Sequence, residues 1–309
     1  MVLATPLAIA RQWLTDAAQS HIVGDNPLTE EELASHEDPG LFGPASSAWR
    51  VHGDAAMLIG GLRALLLQSL HPPTMAGVAD HSDYLDDPWG RLHRTGRFIS
   101  ATTFGNTKTA EQNIAIVRAI HARVTGATPS GEPYSANDPH LLAWVHITEV
   151  DSFLRAYQLY GEHRLTDAEC DRYVAEMTAV GHRLGAENLP TTTAALAACL
   201  TSYQPECRYD DQARDAVRFL INPPVSIELR GVYALITAAA IALLPEWARH
   251  LIGVWVPPGA PRAVQPAATI LTRSLGWILQ AGGPSDLDGR LREPQGGIPE
   301  SGIQQDDPS

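Results

Sequence analysis

Apolar residues recur at intervals of three and four along most of this chain, and no long β-branched alternating run appears, so the pattern predicts an all-α protein. Leu7, Trp13, Leu14 and Ala17 mark a short amphipathic helix over Ala4 to Gln19. Val23 to Ser47, rich in Gly, Pro and acidic residues, reads as an irregular lead-in. From Ala55 to Leu70 the chain is apolar nearly all round, with Met57, Leu58, Ile59, Leu62, Leu65, Leu66 and Leu67, which marks a central helix with Asp54 as its N-cap. It stops at His71-Pro72-Pro73, because the proline ring forbids another turn. Pro72 to Pro88 receives no helix, only a turn at Asp86-Asp-Pro-Trp-Gly90.

Arg91 to Phe104 begins helical and ends at Gly105, after which Thr109 and Gln112 match a capping box for the next helix. There Ala110, Ile114, Val117, His121 and Val124 fall on one face, and Gly126 closes the helix. Ala127 to Asn137 reads as a loop. Asp138-Pro139 is an N-cap followed by proline at the first helical position, opening a helix through Leu142, Val145, His146, Val150, Phe153 and Tyr157 to Gly161. Thr166-Asp-Ala-Glu169 opens another that continues to about Gly185. Helical stretches follow over Thr191 to Tyr203, Gln204 to Phe219, Val225 to Ile252 with a break at Pro245, and Pro266 to Ala281. The expected organisation is a lead-in over 1–47, one helical domain over 48–281 and a disordered tail over 282–309, whose Gly, Pro, Gln and Asp leave little to bury.

Composition narrows the class. At 309 residues and 44% hydrophobic content a sizeable core is available, and 35 acidic against 22 basic residues give a formal charge of -13. That sign argues against nucleic acid or an anionic membrane as partner. Val232 to Leu244, the longest apolar run, falls short of the ~20 residues a spanning helix needs, so it is expected to be a buried helix. Met1 to Arg11 has no positive residue ahead of its apolar run and makes a poor secretory signal. Cys170, Cys199 and Cys207 form no C-x-x-C pair, which fits a reducing cytoplasm.

G-x-G-x-x-G, the Walker loop, G-x-S-x-G and H-E-x-x-H are all missing, and so are the two Glu-x-x-His pairs of a carboxylate di-iron site. A histidine on an apolar face, as at His121, is most often a hydrogen-bonded core residue; His146 has the same reading, and Arg91 with Arg94 reads as a surface pair. In combination these residues carry more. Gly53-Asp54, the run ending Gln68-Ser-Leu-His71-Pro72, Gly77-Val-Ala-Asp-His81, Pro88-x-x-Arg91-x-x-Arg94-Thr95, Phe104-Gly105, His121-x-x-Val124-x-Gly126 and Tyr134-x-Ala136-x-Asp138-Pro139 through Trp144-Val-His146 occur in that order. Together they resemble the haem-dependent oxygenase family of the latex clearing proteins and a fungal oxygenase of mycophenolic acid biosynthesis, over roughly Ala48 to Trp255.

The resemblance implies a single globin-like helical bundle around haem b, with His121 as the iron ligand and His146 near the haem pocket. It implies that Arg91 and Thr95 act on the distal side, with Arg94 standing where latex clearing proteins have a lysine. Lys108, the only lysine in the chain, lies in another segment, and guanidinium is a very poor ligand, so polyisoprene cleavage does not carry over. The distal iron position is therefore expected to be open or water-occupied, with His93 pointing to a different face of its helix from Arg94. The expected activity is an oxygenase reaction on a small apolar organic substrate with dioxygen. A peroxidase-like reaction and a non-catalytic haem- or lipid-binding module are the alternatives.

Overall fold

The computed structural model describes residues 27–82 and 86–282. The expected helix over Ala4 to Gln19 and the tail beyond Gly282 lie outside the described residues. Twelve α-helices carry the fold among those described, and the one sheet is a hairpin of two three-residue strands. No helix there is long and apolar enough to cross a membrane.

Two helices form the centre: α2 (Met57–Gln68) and α6 (Pro139–Tyr160). They approach so closely that a Cβ on Gly60 would lie 2.9 Å from Phe153 Cδ1 and 3.0 Å from its Cα, so only glycine fits there without displacing backbone. Around this contact Ile59, Leu66, Leu67, Trp144, Ile147 and Val150 are almost wholly buried. The α2 run is not apolar throughout, because Arg63 lies inside the core. Its guanidinium donates to Asp151 Oδ2 at 2.7 Å, Ser152 Oγ at 2.6 Å and the Leu243 carbonyl at 2.9 Å. Three helices are thereby joined: α2, α6 and α10 (Arg230–Leu243).

Several helix ends differ from the sequence expectation, each for a local reason. Asp54 does not cap α2; its carboxylate accepts from the amides of Ala56 and Glu162, and Ala56 is the N-cap. The unanticipated α1 (Ser47–His52) is capped by Ser46. Pro72 and Pro73 begin α3 (Pro72–His81), occupying first-turn positions whose amides no helix uses. Asp87 caps α4 (Pro88–Phe104), and Asn106, not Thr109, supplies the side chain that caps α5 (Thr107–His121). α5 ends at His121, five residues before the expected stop, because Thr125–Ala127 turns into β1 and pairs antiparallel with β2 (Pro133–Ser135). The Asp138 cap of α6 and the capping box of α7 (Asp167–Leu184) stand as read, with Gly185 closing α7 at a positive φ of 106°. After these come α8 (Thr193–Ser202), a 3-10 turn at Gln204–Glu206, α9 (Asp211–Ile221), α10, α11 (Glu246–Leu251) and α12 (Ala260–Gly282).

Far from being a loose leader, the lead-in clamps one end of the α4–α5 pair. The Ala34 amide donates to the Phe104 carbonyl, Arg97 to Glu32 at 2.7 Å, and the Asn106 side chain to the Glu31 carbonyl at 2.8 Å. Asp38 accepts from both the amide and the hydroxyl of Thr107.

Candidate active site

α4 and α5 pack against each other and are joined by Gly105 and Asn106 alone. On α4 one stripe at helical spacing contains Arg91, Thr95, Phe98 and Thr102. Its burial changes along its length: Thr102 is buried, Phe98 half-buried and Thr95 exposed. The corresponding α5 stripe runs from buried Ala110 and Ile114 to half-buried Val117 and His121. On both helices burial is thus lower towards the ends that bear Arg91 and His121 than next to the link. Sequence periodicity located the α5 stripe; the α4 stripe and the fall in burial towards these ends are tertiary facts that periodicity does not carry.

The side chains at these ends differ in their ties. Arg91 is half-buried, and its carbonyl accepts the Thr95 hydroxyl at 3.1 Å. Arg94 is 65% exposed and donates to Asp87 Oδ2 at 3.3 Å, so the residue that caps α4 also holds this guanidinium. His93 comes two residues after Arg91, on the far side of the helix, where its Nε2 is buried without a partner.

His121 is the last residue of α5. Its Nδ1 is buried and has no hydrogen-bond partner, and burial pushes its pKa below the ordinary histidine value, so the ring is neutral at neutral pH. An unpartnered neutral imidazole is the form that ligates a transition metal, so the donor present fits haem iron. The hairpin after it is anchored: Tyr134 donates to Asp80 Oδ2 at 2.6 Å, and its phenol is pushed up to about 12 by burial and that carboxylate. A Cβ on Gly126 would sit 2.6 Å from the Tyr134 hydroxyl oxygen, so the ring lies directly over the strand that follows His121. His121 is thus held from its C-terminal side by a hairpin fastened to α3.

His146 lies elsewhere in its contacts. It is buried on α6 against α7, where a Cβ on Gly181 would come within 3.0 Å of its Nδ1. Burial, with a smaller contribution from His182, lowers its pKa to about 4. One turn along α6, burial raises Glu149 to about 7 against the opposing hydrogen bond from Gln68. Thus the structure gathers Arg91, Arg94 and Thr95 on one helix and places His121 on the helix packed against it, while the contacts described for His146 run to α7. Two groupings escaped the sequence reading: the unpartnered His93 nitrogen, and a cluster of His71, His140 and Glu206. Both depend on contacts that spacing along the chain does not encode.

This arrangement belongs to a helical catalytic domain whose family is identifiable. The family profile described as "ER-bound oxygenase mpaB/B'/Rubber oxygenase, catalytic domain" matches residues 49–280, roughly three quarters of the chain. The chain belongs to this oxygenase family. Searches of the curated proteins and of the solved structures each return no match.

Proposed function

We propose that this protein is a haem b-dependent oxygenase acting on a small apolar organic substrate with dioxygen, and that residues 48–281 form its globin-like haem-binding domain. The observation that carries the reading is His121: a neutral imidazole with a buried, unpartnered nitrogen, at the less buried end of the α5 stripe in an oxygenase-family chain. Haem b, when bound, supplies the iron centre that activates dioxygen. His121 holds the iron, and the Tyr134–Asp80 anchor fixes the helix end that presents it. Arg91, Arg94 and Thr95 act from α4. Their two permanently charged guanidinium groups and the hydroxyl would supply positive charge and hydrogen bonding on that side of the cofactor.

Phe98 and Val117 give the adjoining apolar wall. His146, neutral inside the α6–α7 contact, is assigned to the cofactor side of the domain. With no lysine on α4, that helix would offer no amine to a bound iron. The three cysteines are all free thiols, which suits a reducing cytoplasm.

The test is a visible spectrum. The purified protein is expected to show a Soret band, and His121→Ala to lose it while far-UV circular dichroism stays helical. Azide or imidazole is expected to bind the ferric protein without a slow opening step. A wild-type protein that shows no band after reconstitution with haemin overturns the proposal, as does an unchanged spectrum in His121→Ala.

A further inference from the structure

Three side chains from distant parts of the chain converge where α3 starts, where α6 starts, and at the 3-10 turn. Nε2 of His71 lies 3.3 Å from Oε2 of Glu206, and Nε2 of His140 lies 2.8 Å from the same oxygen. All the donor atoms fall within 4.8 Å of one another; His71 is buried and the other two are exposed.

The outer nitrogens are also engaged. Nδ1 of His71 lies 3.0 Å from the Thr74 hydroxyl, and Nδ1 of His140 lies 3.1 Å from the Tyr203 hydroxyl, whose ring stacks on the imidazole. The Tyr203 hydroxyl donates to the His140 carbonyl at 3.0 Å, and with the ring proton on Nδ1 the imidazole donates to that same oxygen. In that tautomer Nε2 presents a lone pair 2.8 Å from a carboxylate oxygen, an arrangement that a positive centre between the two completes.

The geometry points to a binding site for one divalent cation of the zinc class, ligated by His71 Nε2, His140 Nε2 and Glu206 Oε2 with water in the fourth position. Two imidazoles and one carboxylate form a usual donor set for this ion. Four-coordinate bonds of ~2.0–2.1 Å place neighbouring donors about 3.3 Å apart, which His71 and Glu206 already satisfy. The exposed His140 and Glu206 reach the remaining geometry by side-chain rotation. Thr74 and Tyr203 do what outer partners of ligating histidines do, orienting each ring and setting its tautomer. The bound ion fastens the starts of α3 and α6 to the turn after α8. This site stands apart from His121 and does not depend on the haem assignment.

The experiment titrates the full-length protein with Zn2+ against a chromophoric chelator, with elemental analysis of zinc and iron and a thermal midpoint at each step. The wild type is expected to take up one zinc per chain and to melt at a higher temperature with it. His140→Ala and Glu206→Gln, both at exposed positions, are expected to bind at least tenfold more weakly and to lose the shift, with iron content unchanged. Wild-type protein that takes up no zinc at micromolar concentrations overturns the proposal, as do variants that bind as the wild type does. In either case an imidazolium–carboxylate pair accounts for the cluster.

Discussion

Replacing Asp151 with Asn keeps the shape of the side chain and removes the charge that faces Arg63 in the core. The Arg63 side chain is 1% exposed and that of Asp151 6%, so the guanidinium has no water to turn to. It retains Ser152 and the Leu243 carbonyl, both neutral acceptors. Breaking a fully buried pair from one side costs about 3–5 kcal/mol, against a total stability of about 5–15 kcal/mol for an ordinary fold. With a urea dependence near ~3 kcal/mol per molar, the upper end of the usual range, the unfolding midpoint falls by about 1–2 M. The measurement is equilibrium urea unfolding followed by far-UV circular dichroism, at matched ligand content because any ligand bound only to the native state raises apparent stability. Arg63→Met/Asp151→Leu, which removes both charges and leaves apolar volume, is expected to be more stable than Asp151→Asn. A loss under ~1 kcal/mol in Asp151→Asn refutes the reasoning, and so does a double variant less stable than the single one.

Gly126→Ala drives a methyl group into the Tyr134 hydroxyl, loosens the contact with Asp80, and is expected to cost about 1–3 kcal/mol; an unchanged thermal midpoint shows that the ring does not seal that strand. Glu149 has its folded pKa raised from 4.5 to about 7, so the native state holds its proton more tightly and this carboxyl lowers stability as pH rises through that window. Glu149→Gln is therefore expected to be more stable than wild type at pH 8, by at most about 1–2 kcal/mol after allowance for partial solvation, and to match it below pH ~4.5; parallel stability curves across that range contradict the assignment.

What the sequence disclosed was what local chemistry decides. Asp138-Pro139 and the Thr166 to Glu169 box each contain their own cap partners within one turn, so α6 and α7 begin where the pattern puts them. α3 went unread because a double proline is a stop signal after α2 and an allowed start before α3, and only the following packing distinguishes the two. The first-strand residues Thr125–Ala127 are too few to show alternation. Arg63 was invisible as a core residue because its partners lie 88 and 89 residues further on at Asp151 and Ser152. At the candidate active site, the α5 stripe was legible, and the order of motifs pointed to the family that the profile shows. The exposure of Arg94, the burial of the His93 nitrogen and the placing of His146 against α7 arise from how helices meet, which no single stretch encodes.

The clamp that the lead-in places on α4 and α5 also sets an order of assembly. The two helices find each other across a two-residue link, whereas Glu32 to Arg97, Glu31 to Asn106 and Asp38 to Thr107 close loops of 65, 75 and 69 residues. Closing a flexible loop of that length costs roughly 4 kcal/mol of chain entropy before any contact repays it. The hairpin can thus form early on its own, and the lead-in joins late, once α2 and α6 have built a surface to close against. On that order, the helical pair bearing Arg91 and His121 would form before the end next to its link is tied down by the lead-in.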